Sequence, residues 1–248
     1  MPKREVKILE NIHHYNSNIE SYDNTIYEKI ESRFAHFVNF CNNSDIFCKW
    51  FNQRLSYYID NCLHYGCVVD LGFSIPYPYI AIDSHKLDDS KTQFIFIDKE
   101  KSAKVFYNMF TTIPQLSSRK KNDVVICQDL DEDNAYQQIH EHILSIKPKS
   151  MLIVASEIIE HLKHPEKIWS FIKKVSKLPS LIETKVYITI PLGVTIPSHH
   201  SFYSTEKEAL NYIQQYIKID SYKNLSPPLS LGDIPYAQGC ICISGTII

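Results

Sequence analysis

The chain has 248 residues, 44% of them hydrophobic and 22% charged, with 26 basic against 28 acidic residues and a formal net charge of -2. That length and composition give one large domain, or one domain plus an extension, with apolar mass enough for a sizeable core, and they exclude a disordered chain. With no long basic run, bulk electrostatics does not favour a nucleic-acid partner; no apolar run approaches the ~18 residues of a membrane span, and no apolar signal region follows the charged start Met1–Lys7.

Seven cysteines (Cys41, Cys48, Cys62, Cys67, Cys127, Cys240 and Cys242) include no CxxC pair, so the usual structural-zinc spacing is absent. Their odd number and apolar surroundings read as reduced core thiols of a cytoplasmic protein. Glycine is scarce, at six residues; Gly72 and Gly193 both follow apolar β-like runs and mark sharp turns.

In chain order, residues 1–62 read as an aromatic-rich helical extension or cap. "YEKIESRFAHFVNF" sets Ile30, Phe34, Phe37 and Val38 at helical spacing, and "FCKWFNQRLSYYI" does similarly. Such a segment packs on the main domain, and it also suits a lid over a substrate pocket. From Cys67 the rhythm changes. Short apolar runs, "CVVDL" (67–71), "QFIFID" (93–98), "DVVIC" (123–127), "MLIVA" (151–155) and "KVYITI" (185–190), alternate with helical patterns. The clearest helix is "PEKIWSFIKKVSKL", with Pro165 in its first turn and Ile168, Phe171, Ile172 and Val175 on one face. Near-continuous apolar strands separated by helices predict an α/β fold, a parallel sheet with helices on both faces. "YIKIDSY" and "GCICISGTII", with no clear helix between them, predict an antiparallel pair closing one edge.

Ligands of open α/β sheets bind outside the carboxyl ends of the strands, near the topological switch point. Acidic residues recur there: Asp70 with Gly72 at the first strand, Asp98 at the second, Asp129 after the third, and Ser156, Glu157, Glu160 and His161 after the fourth. An adenosine-type ligand would present hydroxyls and an amine to such a rim. Asp98 has two readings: a carboxylate that accepts both hydroxyls of a ribose, or the N-cap of the helix that begins in "DKEKSAKVF".

The segments "VVDLG" (68–72), "FIFID" (94–98), "VICQDL" (125–130), "SEIIEHL" (156–162) and "VYITIPLG" (186–193) resemble the class I S-adenosylmethionine-dependent methyltransferases, over roughly residues 63–248. The resemblance implies a Rossmann-like, seven-stranded, mostly parallel sheet with an antiparallel C-terminal hairpin. S-adenosylmethionine would lie across the ends of the first, second and fourth strands, with Asp70, Gly72, Asp98, Asp129 and Ser156 as cofactor-binding residues. One departure stands out. Where the family's first loop carries further glycines, "DLGFSIPYPY" has Ser74, Pro76 and Pro78, and glycines there let the backbone approach the cofactor.

Read as a helical turn, "SEIIEHL" puts Glu157, Glu160 and His161 at i, i+3 and i+4 on one face. Two carboxylates and an imidazole suit Mg²⁺, Mn²⁺ or Fe²⁺ better than a structural zinc. "HSFYSTEKE", which begins at His200, resembles the His-x-Phe-x-x-Thr-x-x-Glu stretch of small-RNA 2′-O-methyltransferases, and a similar Glu-x-x-Glu-His segment occurs in quinone O-methyltransferases. Carried over, that resemblance implies Glu157, Glu160, His161 and His200 as metal ligands. Without a metal, His161 and Glu157 are the candidate catalytic pair lining the pocket; in the plainest reading, Glu160 is a solvated carboxylate favoured by the helix dipole. His164 and His199 read as surface residues. The function expected is methyl transfer to an oxygen or nitrogen of a small molecule or peptide. The alternatives are a metal-dependent RNA 2′-O-methyltransferase and a non-catalytic binding protein that kept the fold.

Overall fold

A computed structural model describes residues 28–33, 35, 46–111, 119–193, 197–226 and 239–248. Its strands are β1 (Cys67–Leu71), β2 (Gln93–Asp98), β3 (Val124–Cys127), β4 (Ser150–Ser156), β5 (Glu183–Pro191), β6 (Ile217–Leu225) and β7 (Cys240–Ile247). They form one seven-stranded sheet in the order β3-β2-β1-β4-β5-β7-β6. The first five strands pair in parallel, and β7 runs antiparallel to both β5 and β6. Each expected strand lies within two or three residues of the observed one.

Both faces of the sheet are covered. Val68, Phe94, Phe96, Leu152, Val154, Tyr187 and Cys242 turn to one core, which they share with Trp50, Leu55, Tyr58, Tyr79, Phe106 and Phe110. Their strand neighbours Val69, Ile95, Ile97, Ile153, Ala155 and Ile188 turn to the other, where Ile139, Ile143, Ile168, Phe171 and Ile172 meet them. Alternate residues of each strand therefore serve opposite cores, and this is why the strands read as unbroken apolar runs and not as alternation. The helix expected after Pro165 spans Glu166–Val175, and its four predicted apolar positions are all buried.

Much of the expected N-terminal extension, including Phe34, Phe37 and Val38, lies outside the described residues, as do Cys41 and positions 227–238. What is described packs closely. Ile30 is 3% exposed, and the Trp50 indole donates to the Leu225 carbonyl at 3.1 Å. Cys62, Cys67, Cys240 and Cys242 are buried free thiols, and Cys127 is half-buried. Among the described residues, no helix is long and apolar enough to cross a membrane.

Candidate active site

The connections from β1 and β4, which are neighbours, leave to opposite sides of the sheet: β1 leads to β2, β4 to β5. Above their carboxyl ends opens a cavity of about 400 Å³ whose walls include Arg33, Gly72, Asp98, Asp129, Ile158, His161 and His200. The sheet order forces this opening, since no crossover covers the place where the winding reverses.

Gly72 begins the β1 loop with φ 72°, and its amide donates to the Ile97 carbonyl at 2.8 Å. The left-handed backbone favours glycine, and a Cβ added there would lie 2.8 Å from Ile158 Cδ1, so any side chain must displace that of Ile158. Two residues on, Ser74 also sits left-handed at φ 45°, a region few non-glycine residues occupy. Its amide donates to Asp98 Oδ2 at 3.2 Å, while Asp98 Oδ1 accepts the Glu100 amide at 2.7 Å. Asp98 thus shapes the turn before the helix Lys101–Thr111 and also faces the cavity. It is not the N-cap that the sequence also allowed, since the helix begins three residues later and the amide it accepts, that of Glu100, precedes the helix. Asp129 lines the cavity too, its Oδ1 accepting the Asp131 amide at 3.0 Å.

Two of the expected cofactor residues sit elsewhere. Asp70 is 3% exposed on the face of β1 that turns to the core of Tyr58, whose hydroxyl donates to it at 2.8 Å. Burial pushes its carboxyl up to about 7. Ser156 pairs its hydroxyl with that of Thr189 on β5 at 2.8 Å. Neither is among the residues that wall the cavity.

The segment after β4 is not the helical turn its spacing predicts. Glu157 is left-handed, at φ 50°, and only Ile159–His161 form a short 3-10 turn. The i, i+3, i+4 face therefore does not exist. The Glu157 carboxylate instead forms an ion pair with the buried guanidinium of Arg54. Glu160 is 1% exposed, neither of its carboxylate oxygens has a hydrogen-bond partner among the described residues, and burial pushes it up to about 8. Its backbone carbonyl accepts the amides of His200, at 2.7 Å, and Ser201, at 3.1 Å.

The groups that converge are Glu160, His161 and His199, whose ligand atoms all lie within 4.8 Å of one another. His199, read from the sequence as a surface residue, is half-buried, with its ring edge-on to His161 at 4.6 Å between centroids. His200 lines the cavity but, like Glu157, is not part of this cluster. The exchange of one neighbouring histidine for the other has a local cause: the His200 amide is tied to Glu160, which fixes how residues 198–201 cross the turn. His161 Nδ1 lies 3.2 Å from the Ser198 carbonyl. A carbonyl only accepts, so Nδ1 carries the proton and Nε2 keeps a lone pair. Burial lowers the His161 pKa, with His199, Lys99 and His200 adding to the effect and the Ser198 carbonyl opposing it.

Sequence reasoning missed Arg33, Tyr58, Ile158 and His199. Ser74 and Pro76, standing where glycines were expected, signal that the first loop needs other support, but nothing in the sequence points to Arg33 as the source.

No protein-family model matches the chain, and no curated protein matches it. Solved structures match it in fold. A "putative methyltransferase" from Thermobifida fusca YX superposes with a TM-score of 0.54 over 81% of each chain, at 11% identity. A DUF574 family protein from Streptomyces avermitilis MA-4680 also gives 0.54, over 81% of this chain and 84% of that one, at 9% identity. At such identities the likeness is one of fold. With its strand order and its antiparallel β7, the chain has the fold of the class I S-adenosylmethionine-dependent methyltransferases.

Proposed function

We propose that the chain is a methyltransferase that binds S-adenosylmethionine over the ends of β1, β2 and β4 and moves its methyl group to an oxygen or nitrogen of a small molecule or peptide. The observation that carries this reading is the cavity at the switch point. It is walled by a left-handed glycine from the β1 loop, a carboxylate at the end of β2, a second after β3, and an imidazole after β4. In this reading Asp98 accepts the ribose hydroxyls and Asp129 an amine; that both line the cavity supports it. The buried free thiols support a reducing, cytoplasmic setting.

S-adenosylmethionine, when bound, supplies an activated methyl group. What remains for the protein is alignment, exclusion of water and removal of the acceptor's proton. His161 suits the proton transfer, because its lowered pKa keeps it neutral near pH 7 and Nε2 has a free lone pair.

A second reading rests on Glu160. A buried carboxylate without a partner is costly, and a cation between Glu160, His161 and His199 would offset that cost. One carboxylate with two imidazoles suits Fe²⁺ better than Mg²⁺, unlike the two-carboxylate set expected from the sequence. Such a cation, when bound, lowers the pKa of a coordinated hydroxyl.

One experiment separates these readings. The purified protein is incubated with methyl-labelled S-adenosylmethionine and a panel of hydroxyl- and amine-bearing small molecules, peptides and short RNAs, with and without a chelator. Label should appear on a small molecule or peptide. With a metal-free base, the chelator does nothing and His161→Ala alone slows transfer about 10²–10⁴-fold. With a cation, the chelator abolishes transfer and His199→Ala is nearly as damaging as His161→Ala. Label found only on RNA would overturn the substrate class, and full turnover by His161→Ala would remove that residue from the chemistry.

A further inference from the structure

We propose that Arg33 is a positioning residue for the cofactor, one that holds the β1 loop in its binding shape by hydrogen bonds where backbone freedom is lacking. The inference rests on the cofactor reading. Its starting point is Ser74: a side chain at φ 45° needs surroundings that over-determine its conformation. Those surroundings are present on three sides. Arg33 Nη1 donates to the Ser74 carbonyl at 2.5 Å and to its hydroxyl oxygen at 2.8 Å, and the Ser74 amide is held by Asp98.

The same guanidinium reaches Asp98, a wall of the cavity, and Ser102, which is not one. Its Nε donates to Ser102 Oγ at 3.0 Å, in the first turn of Lys101–Thr111, and Nη2 lies 3.6 Å from Asp98 Oδ1. The side chains of Arg33 and Asp98 are 10% and 12% exposed, so this charge pair is well shielded from water. One side chain therefore ties together the loop after β1, the carboxylate at the end of β2 and the start of the following helix. Arginine suits this three-way tie because its rigid fork presents several donors at fixed angles, whereas lysine offers a single compact charge.

Arg33 is itself held in place by its own segment. Ile30, one helical turn earlier, is buried in the core shared with Phe73 and Ile75 of this loop, and Lys29 pairs with Glu100 at 2.5 Å. The consequence is that the cofactor cavity is complete only while residues 28–33 are docked. Gly72 takes its conformation without strain, whereas Ser74 does so only against strain.

Two readouts on the full-length chain test this. One is amide exchange over residues 72–75 without ligand; the other is affinity for S-adenosylhomocysteine. Arg33→Ala should speed exchange in the loop and weaken binding at least tenfold, and Arg33→Lys should recover little of either. Ser74→Gly placed in the Arg33→Ala protein should restore a large part of the affinity, because glycine adopts that backbone conformation without strain. A merely stabilising arginine would lower the melting temperature without this rescue. Parental affinity in Arg33→Ala, or no recovery by Ser74→Gly, would overturn the proposal. Should Arg33→Ala fail to fold, Arg33→Lys carries the same comparison. If the parent protein itself fails to bind S-adenosylhomocysteine, the cofactor reading falls. The exchange measurement then decides alone whether Arg33 clamps the loop: faster exchange upholds the clamp and unchanged exchange overturns it.

Discussion

Asp70 shows how far a single residue can depart from the role its position implies. It lies near the end of an apolar strand, two residues before Gly72, yet its side chain turns to the core and accepts the Tyr58 hydroxyl. Burial raises its carboxyl to about 7, with the Tyr58 hydrogen bond opposing and the charge of Asp98 adding. An unfolded aspartate titrates near about 3.9. The native state therefore holds this proton more tightly than the unfolded chain. The stability it contributes is fully present below about pH 4 and is lost as pH rises towards 7. We expect this group to lower the unfolding free energy across that window by on the order of 2–4 kcal/mol. Asp70→Asn keeps an acceptor for Tyr58 and should flatten the dependence. Urea unfolding between about pH 4 and pH 8 checks this; identical pH profiles for the two proteins would contradict it. Tyr58 lies 12 residues before Asp70, in a segment whose periodicity says only that it is helical, so this pairing was not legible in the sequence.

At the scale of the elements, the site is made where two loops meet. Gly72 after β1 and Ile158 after β4 leave no room between them, with 2.8 Å from an added Cβ to the isoleucine side chain. Gly72→Ala should destabilise the protein by about 1–3 kcal/mol, partly from the left-handed backbone and partly from this collision. Ile158→Ala relieves only the collision, so it should cost less in the Gly72→Ala background than alone, with a coupling of about 0.5–3 kcal/mol. Strict additivity in a double-mutant cycle would show that the two loops do not press on one another. The glycine was legible because it follows an apolar strand directly; its partner was not, because Ile158 reads as an ordinary apolar residue in "SEIIEHL". The same stretch misled on Glu157. Spacing arguments assume continuous helix, whereas here the strand runs to Ser156, Glu157 turns left-handed to meet Arg54, and only three residues form a turn. Spacing also could not choose between His199 and His200, since the choice depends on a backbone hydrogen bond to Glu160 from a distant part of the chain.

The whole molecule was far more legible than its site. Strands buried on both faces must be apolar along their length, and the helix after Pro165 must be apolar along one stripe, so burial itself wrote the β/α alternation into the sequence. The order β3-β2-β1-β4-β5-β7-β6 then places Gly72, Asp98, Asp129 and His161 around one opening, although they lie far apart in the chain. What stayed hidden were the long-range side-chain ties, Arg33 to Ser74 and Arg54 to Glu157, which join the N-terminal segment to the loops of the sheet. The roles proposed for Gly72, Asp98, Asp129 and His161 depend on S-adenosylmethionine binding in this opening, and titration calorimetry with S-adenosylhomocysteine probes that binding without needing a methyl acceptor. We expect one site of roughly micromolar affinity, weakened in Asp98→Ala by about 1.5–3 kcal/mol, the worth of a hydrogen bond to a charged group. Absence of binding by the parent protein, or full affinity in Asp98→Ala, would contradict it.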